Sequence, residues 1–450
     1  MSDKIQINNI YLEKLKLYIK KKDSSKLAKI ISTLHAADIA EIIEYLSDEQ
    51  AKYFYQLIKN EQDSAAVLIE LEDNTRENLM KGLSAKKIAE EVIENLATDD
   101  AADIIGELSE VKKEQVLSHI EDFQHASGIS DLLSYAENTA GSLMEKELIK
   151  VNKDWNTLQC LKEMRKQANN IKNVYTIYVV DDKEKLLGLM SLRRLLLTKK
   201  TTAIKDIMFT DIISVTTNQK NEEAANLMQK YDLVVLPVTN NSGKLLGRIT
   251  FDDIMDVTKE EAEKDYQMAS GISEDVESKD SVWELTRARL PWLLIGMLGG
   301  LFGAKLIGGF NLKTSFELAL FIPLIAAMGG NVGIQSAAIV VQGLANNSLK
   351  LENVAQKLLK ELVVALVNGI ICSVIIFIAA FTLGYSTNLS TAVSISLLTV
   401  TIFAALFGTF IPLTLKKNNI DPALATGPFI TTINDVLGLF IYFWIGQAIL

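Results

Sequence analysis

The stretch Pro428-Phe-Ile-Thr-Thr-Ile-Asn-Asp435-Val-Leu-Gly-Leu-Phe-Ile-Tyr-Phe-Trp-Ile-Gly-Gln-Ala-Ile-Leu450 contains one charged residue, Asp435. A helix needs roughly 20 apolar residues to cross a bilayer, so this run is long enough to span one. Four more runs of that kind precede it: Pro291–Phe310, Leu318–Val341, Leu362–Tyr385 and Ala392–Leu415. With Ala423–Leu450 they predict five spans. The whole chain has 450 residues, a net charge of −10 and 23% charged residues. Its mean hydropathy is nevertheless positive, +0.17. The two figures agree because charge and apolar content are segregated. Residues 1–284 hold 51 of the 56 acids and 37 of the 46 bases, and residues 285–450 hold 5 and 9. That partition excludes a plain cytosolic enzyme, a disordered protein and a disulfide-rich secreted domain. The acidic part would repel phosphates, so nucleic acid is no partner. Cys160 and Cys372 fall one in each part, and His35, His119 and His125 lack metal-ligand spacing.

Basic residues orient the spans. Arg287 and Arg289 precede the first, Lys350, Lys357 and Lys360 lie between the second and third, and Lys416 and Lys417 between the fourth and fifth. The loop Gly384–Thr391 carries no charge. The basic flanks therefore share the side of the N-terminal region, as the positive-inside rule requires. The N-terminus shows no apolar signal-peptide core, which predicts cytoplasmic N-terminal domains and a C-terminus outside an inner (plasma) membrane.

Asp435 is the sharpest candidate. A carboxylate at the bilayer centre costs about 2.5–3.5 kcal/mol on insertion scales and persists where it meets water, a cation or a counter-charge. Lys305 is the one basic residue deep in another predicted span, so an ion pair with it is the bland alternative. Thr431, Thr432 and Asn434 offer further oxygens, a donor set for a hard cation such as Mg²⁺, which tends to keep its waters. In the second span, Gly329-Gly-Asn-Val-Gly-Ile-Gln335 puts Asn331 and Gln335 on one helix face. Its glycines allow either close packing or a local break.

The charged part contains two repeats. Leu34–Ser47 matches Leu96–Ser109 at an offset of 62, with a weaker copy from Leu83. Apolar spacing of three to four and the absence of proline predict a superhelical, all-α domain over residues 10–133. A second repeat pairs Tyr178–Leu196 with Leu236–Met255 at an offset of 59, each reading strand, turn, strand, helix. It resembles a tandem pair of CBS domains. That family can hold a nucleotide ribose with Ser/Thr-x-x-Asp. The second copy has it as Thr250-Phe-Asp-Asp253, and the first reads Ser191-Leu-Arg-Arg194. Residues 252–284 carry twelve acids against Lys259, Lys264 and Lys279. Much of this stretch reads as helix, an acidic connection that faces an acidic N-terminal domain. Bridging cations would draw such surfaces together, biased by the difference in cation affinity between arrangements.

The order of parts, with Gly329–Gln335 and Asp421–Leu439, resembles the MgtE magnesium channel family. The resemblance covers about residues 30–450. It implies a multidomain protein. The superhelical N domain spans 10–133, the first CBS domain 134–199 and the second 200–258. An acidic connecting (plug) helix follows at 259–284, and a five-helix transmembrane domain occupies 285–450. It implies a homodimer in the lipid bilayer, with no enzymatic chemistry, that conducts hydrated Mg²⁺ down its gradient at Asp435 and Asn331. It implies closure by cytosolic Mg²⁺ at Asp99, Asp103, Glu222, Asp232, Asp253, Asp256, Glu261 and Asp265. Lys264 departs from this acidic pattern. ATP is the implied CBS ligand, with Thr250 and Asp253 as its candidate contacts. An ATP-driven pump lacks its GxxxxGK[ST] motif here. The alternatives left open are an ion-coupled secondary transporter of divalent cations and a non-conducting Mg²⁺ or nucleotide sensor.

Overall fold

A computed structural model describes residues 7–168, 171, 173–274, 276, 280–310, 316–345, 354–418, 420–425 and 427–450. The chain divides into two compact units, residues 1–259 and 260–450.

The first unit opens with short helices from Asn9–Lys20 to Phe123–Leu132. Side chains that accept from free N–H groups start several of them, among them Asn8, Asp23, Asn60 and Asp122. The sequence repeat is a structural one. Ile39, Ala40, Ile42 and Ile43 are buried, and so are their counterparts at an offset of 62, Ala101, Ala102, Ile104 and Ile105. The weaker copy is distorted: after Ala85–Lys87 it passes through a π turn at Ile88–Val92 and a 3₁₀ turn at Ile93–Asn95.

Two three-stranded sheets follow. One contains β1 (Ile149–Asn152), β2 (Ile177–Val180) and β3 (Leu186–Met190), and the other β4 (Val215–Thr216), β5 (Val235–Thr239) and β6 (Leu245–Thr250). In each the first pair is parallel and the second antiparallel. The crossover helices are Thr157–Gln167 and Asn221–Tyr231. The copies interlock. Glu145 and Arg248 exchange both backbone hydrogen bonds, which adds the segment after the helical domain to the second sheet. Leu189 and Phe209 do the same for the first sheet. Gly188 and Gly247, paired by the repeat, are needed where these segments cross. A Cβ at Gly247 would lie 2.7 Å from Glu145 O, and one at Gly188 would lie 2.6 Å from Met208 Sδ. The helical core runs without a break into the second copy through Ala140, Met144, Met228 and Leu236.

Among the described residues, five helices are long and apolar enough to cross a membrane: Val282–Gly308, Ile322–Leu344, Val354–Thr382, Thr387–Lys417 and Pro428–Ile449. Their bounds differ from the sequence expectation at helix signals. A Ser281–Glu284 capping box starts span one nine residues early, and the helix runs through Pro291. Span five begins late because Asp421 Oδ1 accepts from Ala423 N–H at 2.8 Å and caps a 3₁₀ turn, Pro422–Ala425. Gly427 then adopts φ +58°, and Pro428 opens the helix. Span two is unbroken, so its glycines serve packing. The acidic connecting helix is Phe251–Ala269: it starts directly after β6 and ends before Gly271, at φ +80°.

Candidate functional site

Span four is the most buried of the five, and spans two and five pack on it. Gly329 and Gly438 each come within 3.2 Å, measured from an added Cβ, of Val400 on span four. Bare backbone at these positions lets three helices approach closely. Asp435 sits half-buried on span five. A Cβ on Gly330 of span two would lie 3.6 Å from its Oδ1, so the carboxylate faces that glycine. Asn331, the next residue, and Gln335 are exposed on span two.

Of the other expected oxygens, those of Thr432 and Asn434 turn to other neighbours, and Thr431, on the face of Asp435, spends its hydroxyl on the backbone. Thr431 Oγ1 donates to Gly427 O at 2.9 Å, and Thr432 packs against Gly299 of span one. Asn434 is buried against span two, with Nδ2 3.4 Å from Gly329 O. Helix geometry turns Asn434 away, because neighbours on a helix point about 100° apart. Thr431, one turn before Asp435, shares its face, and its methyl would lie 3.2 Å from a Cβ on Gly330. Among the described residues no ion pair joins Asp435 to Lys305, which is exposed. Elsewhere Ser336 of span two donates to Glu361 of span three at 2.6 Å. Buried Tyr442 ties span five to Leu318 O at 2.8 Å.

In the first unit, three carboxylates come near one another from three elements. Asp99 lies on the Thr98–Gly106 helix, Glu145 on the added edge segment and Asp253 at the start of the connecting helix. Burial, then the charges of Asp100, Asp253 and Glu145, push the Asp99 carboxyl well above its ordinary range. Its Oδ1 is buried without a hydrogen-bond partner. Burial also raises Asp253, opposed by its hydrogen bonds with Thr250. Glu145 is raised by burial, against the pull of Arg248. That arginine is 3% exposed and forks onto Glu145 at 2.9 and 3.0 Å. It also donates to Asn173 O at 3.2 Å and lies over Tyr175. Glu145 is the member that sequence reasoning missed. It lies outside both repeats, and only the edge pairing with Arg248 brings it to Asp99.

The remaining expected ligands are dispersed. Asp103 is exposed, in the field of Arg76, whose guanidinium is held by Glu107. Glu222 is exposed in the first turn of its helix, and exposed Asp232 ends that helix in the left-handed conformation. Asp256 and Glu261 are exposed on the connecting helix, and Asp265 there is half-buried. Among the described residues no three His, Cys, Asp or Glu side chains converge closely enough to hold a metal ion. Thr250 and Asp253 bond each other: Oγ1 to Oδ2 is 2.6 Å, and Thr250 N–H donates to Oδ2 at 2.9 Å. This closes the helix start. In the first copy Ser191 caps its helix instead, and Arg194 lies over Phe209 at 4.5 Å.

Comparison with known proteins matches this architecture part by part. The profile of the MgtE intracellular N domain matches residues 34–138, that of the CBS domain 140–199 and 204–260, and that of the MgtE divalent cation transporter 322–445. The magnesium transporter MgtE of Bacillus subtilis (strain 168) is 30% identical over 93% of both chains. The chain belongs to the MgtE family. The magnesium transporter MgtE of Thermus thermophilus is 32% identical over 78% of this chain and 79% of its own. A crystal structure of the cytosolic domain of the Mg²⁺ channel MgtE in complex with ATP covers 55% of this chain and 99% of its own, at 28% identity and a TM-score of 0.51. Membership of the MgtE family makes this chain a multi-pass membrane transporter of magnesium and not an enzyme.

Proposed function

We propose that the chain is a channel that passes hydrated Mg²⁺ down its electrochemical gradient into the cytosol, acting as a homodimer in the plasma membrane and closed by cytosolic Mg²⁺. The observation that carries the reading is Asp435: a carboxylate within an apolar span, facing Gly330, the residue before exposed Asn331, with no basic residue paired to it among the described residues. Such a group is stabilised by a passing dication and its waters. The relatives' description as magnesium transporters supports Mg²⁺ as the substrate.

Regulation enters through Asp99, Asp253 and Asp256. Asp99 Oδ1 is a buried acceptor without a partner, and its neighbours are carboxylates, so a divalent cation suits the place better than another side chain. A cation there would tie the helical domain to the second CBS copy. Asp103, Glu222, Asp232, Glu261 and Asp265 add acidic surface to which further ions are drawn. ATP at the CBS pair is supported by the relative's complex. For Thr250 and Asp253 to take part, their mutual hydrogen bonds must open.

The test is Mg²⁺ flux into liposomes from purified protein. Asp435→Asn should fold and lose most of the flux. Unchanged flux and selectivity would remove Asp435 from the path. Flux that follows voltage but not a pH or Na⁺ gradient separates a channel from a coupled transporter.

A further inference from the structure

Asn434 precedes the proposed pore carboxylate, and the proposed function gives it no role. Its side chain is 1% exposed at the junction of spans two, four and five. A Cβ at Gly333 would overlap its Nδ2 and would lie 2.8 Å from Ile430. Behind it, the Gly333 carbonyl presses on Gly408 of span four. The amide is therefore clamped between Gly329 and Gly333 and cannot slide along span two. Its Oδ1 has no hydrogen-bond partner. An unpaired amide oxygen in a dry interior is a cost that an apolar side chain of like size would avoid.

The buried stripe of span five runs Ile430, Asn434, Gly438, Tyr442, and Asn434 is its polar member nearest the carboxylate. Fixing Asn434 in the glycine groove turns the next residue about 100° around the helix axis. That rotation carries Asp435 out of the packed seam to the position facing Gly330. We propose that Asn434 is the positioning residue of the conduction path: keyed into the Gly329–Gly333 groove, it sets the rotational register of span five that presents Asp435 to the ion. This rests on the reading of Asp435 as the pore carboxylate. The amide touches neither ion nor carboxylate, and its effect passes through the backbone.

The experiment measures the Mg²⁺ half-saturation and the maximal flux of the full chain in liposomes, with Asp435→Asn in parallel. Asn434→Ala should raise the half-saturation about tenfold, short of the roughly 10²-fold that a 1 Å misplacement of a reacting group can cost, with a smaller change in maximal flux. Gly333→Ala should do the same by forcing the amide out of its groove. The double variant relieves the overlap with the amide but keeps the 2.8 Å approach to Ile430, so its half-saturation should fall between those of Gly333→Ala and wild type, the non-additivity expected of two side chains in contact. A purely structural role would lower flux per inserted protein and leave half-saturation where it was. If Asp435→Asn shifts the half-saturation while Asn434→Ala stays within about twofold of wild type, the positioning role is overturned and the pore reading stands. If Asp435→Asn has no effect, both fall. Should Asn434→Ala not fold, the glycine variant decides. A double variant no better than Gly333→Ala alone, or Gly333→Ala with wild-type half-saturation, overturns the inference.

Discussion

Arg248→Met is the most informative change in the soluble unit. The guanidinium is 3% exposed, makes two bonds to a carboxylate that is itself 12% exposed, and stacks over Tyr175. Removing one member of a buried pair leaves the other as an uncompensated buried charge, at a cost of about 3–5 kcal/mol. For a unit of this size about 1 kcal/mol moves the unfolding midpoint by roughly 2–4 °C, so a loss of about 6–20 °C is expected. The cost should shrink on acidification. Without Arg248 the Glu145 pKa rises further, since burial already raises it. A carboxyl whose folded pKa is raised destabilises above that pKa, and the penalty is relieved as pH falls through it. Replacing both residues, Arg248→Met with Glu145→Leu, should recover most of the loss, because well-packed apolar residues substitute for a buried pair at little cost. Calorimetry of the purified full chain in detergent, from pH 5 to 8 and without divalent cations, reads the transition of the soluble unit. A single variant that loses less than about 1 kcal/mol, or a double variant as unstable as the single, would refute the reasoning.

Asp99→Asn should raise the midpoint of the soluble unit at pH 7 in chelator. The gain should vanish as pH falls toward the ordinary carboxylate range, because the wild-type group then takes up its proton. The same variant should lose most of the stabilisation that millimolar Mg²⁺ gives the wild type; an equal Mg²⁺ shift in both proteins would discard Asp99 as a ligand. Neutralising Asp253, Asp256 and Glu261 together should move the inhibition of flux by cytosolic Mg²⁺ to concentrations higher by about tenfold or more, one lost ion being of order 1.4 kcal/mol. An unchanged inhibition curve would count against this gate. Gly427→Ala meets two obstacles, a φ of +58° and an overlap with Ala269 O. It should cost about 1–3 kcal/mol and lower the yield of monodisperse protein, and normal yield with normal flux would show that the turn before span five adapts.

Long periodic patterns carried their meaning in the chain itself. The five spans follow from apolar runs, because a bilayer offers no partner to an unpaired backbone group and so demands whole helices. The two repeats likewise identified their units, since positions 62 apart are buried alike and Gly188 and Gly247 occupy equivalent crossings. Asp435 stood out because charge is rare at that depth. Side-chain direction was another matter. Composition placed Thr431, Thr432 and Asn434 around the carboxylate, and helix packing turned Thr432 to Gly299 and Asn434 to Gly329 and Gly333, leaving Thr431 on the face of Asp435 with its hydroxyl bonded to Gly427 O. Glu145 joined Asp99 and Asp253 only through strand pairing across 103 residues. Such encounters depend on which edge a segment joins and which face a helix buries. Those are decided by the summed packing of the fold, and no local spacing encodes them.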